Sequence, residues 1–436
     1  MAVTSPALLE ALADIVDREH LIDDAAALDA HAVDGVTPRW VARPGSAEEV
    51  GRVLALAHAE GLAVAPRGTG SSVALGNRPR RLDLVVDLAR LDAITDYVPE
   101  DMVATVEAGT SLAALGRRLA ERGQMLALDP IGGSSRSIGG VLASNAAGPL
   151  RFRYGTARDL TLGVRFVQAD GTITWGGAKV VKSVTGYDVP KLLVGSLGTL
   201  GLIVGATLRL HPLPAATGSW LLAWDSREAA ESFLAALLGS SLEPERVTLL
   251  NGEASRACGR TGGELALLVS IASVEEAVLS QGTALARLAG MHAGQVQKLS
   301  PSCWEQLGEA LKGPVALRLS CEPKRLIFWL GELERLASGL GLPAPVVAQA
   351  GNGVLQCALQ GEVSGSALDG NLLRPLRKGL APEGGSLVVE RAPAALKAEF
   401  DVWGPIHPDV LAIMSRVKRE FDPDDILNPG RFVGGL

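Results

Sequence analysis

The sequence predicts an α+β protein with two main parts: mixed strands and helices come first, followed by an antiparallel sheet with helices on one face. Three observations predict this class. The chain has 436 residues, which is longer than one ordinary domain. A strand-helix-strand unit begins near Trp40, and helical stretches alternate with apolar strand-like stretches over residues 219–400.

The composition is that of a globular protein and argues against one class of partner. Apolar residues make up 47% of the chain and charged residues 20%. The formal net charge is -7, which provides no basic surface for nucleic acid. We therefore expect no nucleic-acid partner.

Two segments are candidates for directing the chain to a membrane, and neither has the required pattern. Residues 1–18 lack a basic stretch followed by an apolar one, which argues against a signal peptide. Residues 192–208 carry no charge, but their glycines and hydroxyl side chains favour a buried segment over a span of about 20 apolar residues. We expect a cytoplasmic protein with no direct membrane span, which reaches a membrane only through partner subunits.

The cysteines and histidines show no metal-binding pattern. The spacings of Cys258, Cys303, Cys321 and Cys357 make neither a CxxC pair nor a zinc ribbon, so we predict reduced core thiols. The six histidines are spread along the chain without ligand spacing. Only His407, close to the C-terminal segment, remains a candidate for the site.

The elements of the first part follow from caps and apolar patterns. Residues 1–32 form a peripheral helical segment. Ser46 predicts a helix N-cap, with Glu49 as its capping-box partner, and Gly61 ends the helix. Strands are predicted at 62–65, 82–88, 102–108, 161–169, 172–175 and 199–210, with a helix at 112–122. The Asp170-Gly171 dipeptide predicts a type I′ hairpin.

The elements of the second part alternate in type. Helices are predicted at 227–238, 274–288 and 324–340, and strands at 265–271, 314–319 and 353–359. This pattern favours an antiparallel sheet with helices on one face over a second nucleotide-binding fold.

Four glycine-rich segments in the first part indicate a binding site. They are residues 66–72 (Pro-Arg-Gly-Thr-Gly-Ser-Ser), 129–148, 154–159 and 185–201. Because glycine lets the backbone approach a ligand closely and adopt positive φ, such runs suit a phosphate or a flat ligand. The first segment alone favours a plain tight turn. It is neither a GxGxxG motif opening a helix nor a Walker A loop, so a Rossmann nicotinamide site is disfavoured.

The order and spacing of the four segments resemble the FAD-binding half of the vanillyl-alcohol-oxidase family, also called the PCMH-type FAD-binding domain. The resemblance implies such a domain at 33–214, a cap domain at 215–404 and a tail at 405–436 that returns to the FAD domain. Residues 421–431 (Phe-Asp-Pro-Asp-Asp-Ile-Leu-Asn-Pro-Gly-Arg) resemble the end of the glycolate oxidase type of FAD-linked 2-hydroxyacid dehydrogenases. That likeness implies Asn428 near the flavin ring.

The same resemblance implies which residues line the FAD. These are Pro66, Arg67, Gly68, Thr69, Gly70, Ser71 and Ser72 at the pyrophosphate, Pro130, Gly133, Ser137, Ile138, Gly139, Gly140, Ser144, Asn145 and Gly148 along the cofactor, and Gly201 and Ile203 at the adenine side. Family members with covalent flavin tether it through His, Cys or Tyr. Residues 67–72 contain none of these, so we expect non-covalent FAD.

The cap departs from the family pattern where a metal would bind. Catalytic relatives carry a His-x-Gly-Asp-Gly-Asn-x-His element and a later Glu-His pair, which bind a divalent metal. Here Gln349 and Gln356 stand at the histidine positions, and Glu390 is followed by Arg391. Because amides are weak ligands, we predict that the metal site is lost and that no metal is bound. Glu390, Arg391 and His407 remain as candidates for catalysis.

An intact FAD half joined to such a cap resembles the smaller flavin subunit of bacterial three-subunit glycolate oxidase, and residues 179–189 carry that likeness most closely. The resemblance implies a sister flavin subunit and an iron–sulfur subunit as partners, with a small 2-hydroxy acid as substrate. Two alternatives stay open. One is a free-standing, metal-independent FAD-linked 2-hydroxyacid dehydrogenase, and the other is a structural subunit that only holds FAD.

Overall fold

The computed structural model describes residues 6–178, 186–258 and 263–436. Helices and strands are mixed along the chain, and the predicted α+β class is confirmed. Most of the 179–189 segment, including Thr185 of the fourth glycine-rich segment, lies outside the described residues.

The first part contains two sheets and the helices that pack on them. Its strands are β1 Leu21–Ile22, β2 Trp40–Ala42, β3 Val64–Arg67, β4 Leu84–Asp87, β5 Ile94–Val98, β6 Val103–Glu107, β7 Gln124–Met125, β8 Thr161–Val167, β9 Ile173–Gly177, β10 Leu202–Arg209 and β11 His211–Pro212. Its helices are α1 Pro6–Val16, α2 Ala25–Asp29, α3 Ala47–Ala59, α4 Leu112–Ala120, α5 Ile138–Ser144, α6 Arg151–Tyr154, α7 Ala157–Leu160 and α8 Val189–Leu193.

The two sheets of this part differ in strand direction. In the order β1-β2-β4-β3, the last three strands are parallel, as the strand-helix-strand unit requires. In the order β5-β6-β10-β8-β9, every pair is antiparallel. One apolar core that includes Trp40, Leu54 and Phe166 joins the two sheets to their helices.

The second part is built on one large sheet. Its strands are β12 Ala216–Trp224, β13 Arg246–Asn251, β14 Leu265–Ser273, β15 Gln295–Leu299, β16 Val315–Ser320, β17 Val346–Gln349, β18 Val354–Leu359 and β19 Ser386–Arg391. The helices from there to the C-terminus are α9 Arg227–Leu238, α10 Gly252–Ala257, α11 Glu275–Met291, α12 Leu307–Ala310, α13 Leu326–Gly339, α14 Gly365–Leu368, α15 Arg374–Leu380, α16 Ala394–Lys397 and α17 Pro408–Phe421.

This sheet is antiparallel in the order β15-β12-β14-β13-β17-β18-β16-β19. Alternate side chains of its strands pack against α9, α11, α13 and α15 on one face. On the opposite face, the short helices α10 and α12 cover one end. The rest of that face looks toward the first part, and the cavity described below lies between them.

One predicted turn differs in the structure. The β8–β9 hairpin was predicted as type I′, which needs positive φ at both central residues. Only Gly171 has it, with φ of 88°, and its N–H donates to the carbonyl of Gln168 at 3.0 Å. The turn is therefore centred on Ala169 and Asp170, with Gly171 as a following bulge residue. No helix in the described part of the chain is long and apolar enough to cross a bilayer.

Candidate active site

Two adjoining cavities form one cleft. A narrow pocket of about 100 Å³ lies between the loop after β3 and helix α5. A wide cavity of about 490 Å³ lies between the first part and the uncovered face of the large sheet. Ser71, Ser72, Leu75 and Ser144 line both, so a long ligand can extend from one into the other.

The narrow pocket has walls of backbone. After Arg67 the chain leaves the parallel strand β3 and turns at Gly70, whose φ is 76°. A Cβ on Gly68 would lie 2.1 Å from Oγ of Ser137, and one on Gly139 would lie 2.8 Å from Cβ of Ala108. Side chains at these positions would collide with Ser137 and Ala108, so glycine lets the loop and α5 pack closely and leaves main chain as the lining of the pocket.

The C-terminal tail completes the narrow pocket. The Asn428 backbone N–H donates to the carbonyl of Val64 at 2.8 Å, which ties the tail beside β3. The Asn428 side-chain Nδ2 donates to the carbonyl of Leu197 at 2.6 Å, whereas its Oδ1 is buried without a hydrogen-bond partner in the described part of the chain. Since buried acceptors are normally paired, this oxygen fits a ligand donor.

Two buried cations hold the loop that follows the glycine-rich turn. Arg431 donates to the carbonyls of Val73 and Leu75. Lys397, from the second part, bonds both carboxylate oxygens of Asp34 at 2.9 Å. It also donates to the carbonyls of residues 74 and 76. Both cations therefore fix the backbone that separates the two cavities.

The second part contributes polar side chains to the wide cavity through strand alternation. Arg318, Gln349, Gln356 and Glu390 project from β16, β17, β18 and β19 away from the long helices and line the cavity. Arg318 Nε lies 2.8 Å from Oε1 of Glu390, and Gln356 Nε2 donates to the other carboxylate oxygen at 3.5 Å. The positions that correspond to the family's metal ligands thus lie along one cavity wall.

The other two predicted candidates are differently placed. Arg391 lines the cavity, but its guanidinium donates to the carbonyls of Gly313 and Leu311 at 2.9 to 3.1 Å. His407 lines neither cavity; its Nδ1 accepts from the N–H of Asp409 at 3.3 Å, and its side chain is exposed. The structure therefore gives His407 a role at the start of α17 and brings it to no part of the site.

The first part contributes two arginines that the sequence did not single out. Arg136 precedes α5 and Arg151 begins α6, and both line the wide cavity. Burial is the largest effect on each and lowers its pKa, since a charge is less stable away from water. The only signal in the sequence was their position, Arg136 within the second glycine-rich segment and Arg151 between the second and the third.

The residues that the family resemblance implied for FAD mostly lie along the cleft. Those lining it are Pro66, Arg67, Gly68, Thr69, Gly70, Ser71, Ser72, Pro130, Ser137, Gly139, Gly140, Ser144, Asn145, Ile203 and Asn428. Asn428 lies in the narrow pocket and not in the wide cavity.

Four of the implied residues do not line either cavity. Ile138 is buried in the apolar core, and Gly133 is exposed with open space around it. A Cβ on Gly148 would lie 1.7 Å from the carbonyl oxygen of Asp129. A Cβ on Gly201 would likewise collide with the ring of a buried phenylalanine. Packing therefore accounts for these two glycines.

The wide cavity has no donor set for a divalent metal. Among residues 6–178, 186–258 and 263–436, no three His, Cys, Asp or Glu residues come together in a way that could hold an ion. Of the three residues matched to the metal ligands of the family, Gln349, Gln356 and Glu390, only Glu390 has a charged ligand atom. Arg318 neutralises that charge.

Comparisons with known families agree with the geometry of the cleft. Residues 38–177 match the FAD binding domain, and residues 405–432 match the C-terminal domain of FAD linked oxidases. The first match contains the narrow pocket's loop and α5, and the second contains Asn428. The backbone-lined pocket, the unpaired Asn428 oxygen and the adjoining wide cavity fit FAD.

Some similar proteins and structures extend along almost the whole chain, and another covers about half of it. D-2-hydroxyglutarate dehydrogenase of Xanthomonas citri pv. viticola is 28% identical over 98% of this chain and 97% of its own length. Glycolate oxidase subunit GlcD of Bacillus subtilis is 29% identical over 49% of this chain and 46% of its own length. The structure of p-cresol methylhydroxylase with substrate bound superposes with a TM-score of 0.77 at 15% identity, covering 99% of this chain and 97% of that one, which shows the shared fold.

Proposed function

Because the chain is an FAD-dependent oxidoreductase with an FAD-binding domain of the vanillyl-alcohol-oxidase type, we propose that it serves as the FAD-binding subunit of a 2-hydroxyacid dehydrogenase complex of the glycolate oxidase kind. One observation carries the proposal. The narrow pocket proposed for the cofactor opens into a wide cavity whose wall holds Gln349, Gln356 and Glu390, the residues that the family resemblance matches to metal ligands.

The chain's own residues would divide the cofactor between the two cavities. The amides of residues 68–72 would hold the pyrophosphate in the narrow pocket, with Asn428 accepting a hydrogen bond from the cofactor through Oδ1. The wide cavity would receive the flavin ring and an acid substrate. Bound FAD can accept two electrons from the substrate and release them one at a time.

The lack of a free proton acceptor supports a role within a complex. Oxidation of a hydroxyl group needs a base for its proton, and histidine or a carboxylate is the usual one. Glu390 is the only carboxylate that lines the wide cavity in the described part of the chain, and it is paired with Arg318. No histidine is among the described residues that line the cavity. A sister flavin subunit would then carry out most of the substrate chemistry, and an iron–sulfur subunit would receive the electrons.

Two other functions remain as competing proposals. A free-standing, metal-independent 2-hydroxyacid dehydrogenase is favoured by the relative from Xanthomonas citri pv. viticola, whose name is that of a dehydrogenase and which matches almost the whole chain. A subunit that holds FAD only for structure is favoured by the missing base.

Purification of the chain alone and together with its co-purifying proteins tests the proposal. The expected result is an FAD-loaded chain that associates with a second flavoprotein and an iron–sulfur protein, in a complex that is reduced by a 2-hydroxy acid. Prompt reduction of the chain alone would support the free-standing enzyme. A bound flavin that neither substrate nor partner can reduce would support the structural role, and absence of bound FAD would contradict all three.

A further inference from the structure

The wide cavity is strongly cationic in an acidic protein. Five positively charged side chains line it, and a single carboxylate, that of Glu390, lines it in the described part of the chain. The five are Arg136, Arg151, Lys312, Arg318 and Arg391. The whole chain has a formal net charge of -7, so the excess of cations in this cavity is opposite in sign to the charge of the chain. A cavity of one sign attracts ligands of the other.

Three of the five cations already have partners within the protein. Arg318 lies 2.8 Å from Glu390, and Arg391 donates to two backbone carbonyls. Lys312 pairs with Glu309 at 2.6 Å, and its side chain is 71% exposed. These three are therefore already held by contacts within the protein. The remaining two guanidinium groups come from the first part of the chain.

Arg136 and Arg151 are partly buried and lack partners. Nε of each is buried without a hydrogen-bond partner in the described residues, and neither guanidinium forms an ion pair there. Two charged groups removed from water without partners are unfavourable, so an anion in the cavity would stabilise both. A planar guanidinium matches a carboxylate with two parallel hydrogen bonds.

Gln349 adds a neutral recognition group from the opposite wall. Its side chain is only 2% exposed, yet neither amide atom has a hydrogen-bond partner within the described part of the chain. Leaving a buried amide unpaired is unfavourable in proteins, which points to a ligand that supplies both an acceptor and a donor. A carboxylate with a neighbouring hydroxyl group has this chemistry.

We infer that the wide cavity binds the carboxylate of an organic acid directly, with Arg136 and Arg151 as the cationic contacts and Gln349 as the amide contact, and without a divalent metal. That the acid is a 2-hydroxy acid rests on the proposed function, whereas the anion site rests on the cavity itself. Positive charge that relatives obtain from a metal ion would here come from the FAD-binding half of the same chain.

The test measures binding of oxalate, a dicarboxylate that cannot be oxidised as an alcohol, to the FAD-loaded protein in the presence of EDTA. Calorimetry gives the affinity, and the flavin absorbance reports whether the ligand lies beside the ring. Arg136→Met and Arg151→Met are compared with Arg153→Met, an exposed neighbour whose guanidinium contacts the Glu243 carbonyl outside the cavity. FAD content is measured separately for every variant.

Wild-type protein and the Arg153→Met control should bind oxalate equally. Arg136→Met and Arg151→Met should each weaken binding by roughly ten- to a hundredfold, the loss expected for a charge-assisted contact. Arg151→Lys keeps the charge but not the planar guanidinium, so its affinity for oxalate should lie between those of the wild type and Arg151→Met. Unchanged binding in both Met variants, or binding lost with EDTA and restored by zinc, would overturn the inference.

Two further outcomes show whether the arginines bind the acid or the flavin. Met variants that lose FAD but bind oxalate normally would show that the arginines contact the flavin, and the inference would be wrong. If the chain holds no FAD but the apoprotein still binds oxalate through the two arginines, the anion site stands and the proposed function fails.

Discussion

Asp129 and Arg246 form an ion pair that joins the FAD-binding half to the large sheet, with Nε of Arg246 3.1 Å from Oδ2 of Asp129. The other carboxylate oxygen accepts a hydrogen bond from the N–H of Leu150 at 2.9 Å. Asp129 precedes Pro130, and Leu150 precedes Arg151, so one carboxyl group ties together two segments that line the wide cavity.

Burial raises the pKa of Asp129 to about 7, against the opposing effect of Arg246. Because the folded chain then keeps a proton that the unfolded chain loses above its ordinary pKa of 3.8, the contribution of Asp129 to the free energy of unfolding falls as pH rises from about 4 to about 7 and then levels off. Asp129→Asn should remove this slope. Urea unfolding of both proteins at several pH values checks the prediction, and parallel profiles for the two would contradict it.

A β-branched residue at Gly70 should abolish FAD binding. Gly70 has φ of 76° and lines the narrow pocket, so Gly70→Val adds backbone strain of about 1 to 3 kcal/mol and fills space beside the phosphate loop. Gly61→Val is the matched control, since Gly61 has φ of 63° and lies outside both cavities. Flavin absorbance per protein should be lost only in Gly70→Val; full occupancy would show that the loop is a plain turn.

The capped helices of the first part could be predicted closely because their signals are local. The helix predicted to begin after Ser46 is α3, and the Ser46 Oγ accepts from the N–H of Glu49 at 3.1 Å. The Glu49 carboxylate departs from the predicted box, since it accepts from the N–H of Gly45 at 2.7 Å, one residue before the cap. Local chemistry predicted the helix but not the detail of its first turn.

The large sheet was only partly predictable. The predicted strands at 265–271, 314–319 and 353–359 correspond to β14, β16 and β18. Strand β12 was not predicted because its sequence, with Gly218 and Ser219 ahead of a short apolar run, has neither the alternation nor the long apolar run that marks a strand. Strand β15 is exposed along most of its length and has no apolar face at all.

The candidate site, like the large sheet, could be predicted from the sequence only in part. Gly68 and Gly70, which the glycine-rich pattern singled out, line the narrow pocket. Arg136 and Arg151 were missed because a cationic cavity is assembled by the fold from segments far apart, including strands of the second part. Gly201 was assigned to the cofactor although it packs on Phe166, since both roles require the same residue.

The flavin should be released from the chain by acid. Cys357 is the only Cys, His or Tyr among the described residues that line the two cavities. It is 1% exposed, and burial raises the pKa of its thiol, which keeps it in the unreactive protonated form. Precipitation with acid should therefore leave a colourless pellet and a yellow supernatant. A yellow pellet would require a covalent link.

Lys397 should couple the second part to the cofactor loop. Its ammonium and the Asp34 carboxylate are almost fully buried. Removing one member of such a pair costs about 3 to 5 kcal/mol, so Lys397→Met should lower the melting temperature and weaken FAD binding together. Lys378→Met, at an exposed position, is the control. The double variant Lys397→Met/Asp34→Asn, in which asparagine tolerates the Asp34 φ of 49°, should recover part of the stability; a double variant no more stable than the single one would show that the pair itself is unimportant.

The FAD-loaded chain without partners should be reduced slowly by 2-hydroxy acids, even though we infer that it binds their carboxylates. Arg318 and Gln356 hold Glu390 on both oxygens, so this carboxylate is poorly placed to take the hydroxyl proton. A missing general base costs about a hundred- to ten-thousandfold in rate. Added zinc or manganese should not restore the rate, because Gln349 and Gln356 offer only neutral amide groups where the family has imidazoles.

Anaerobic mixing with glycolate and D-lactate, followed at the flavin absorbance, measures the rate, and dithionite shows that the bound flavin can be reduced. Prompt bleaching by either acid in the absence of partners would replace the subunit by an autonomous, metal-free dehydrogenase, with Glu390 freed from Arg318 as its base.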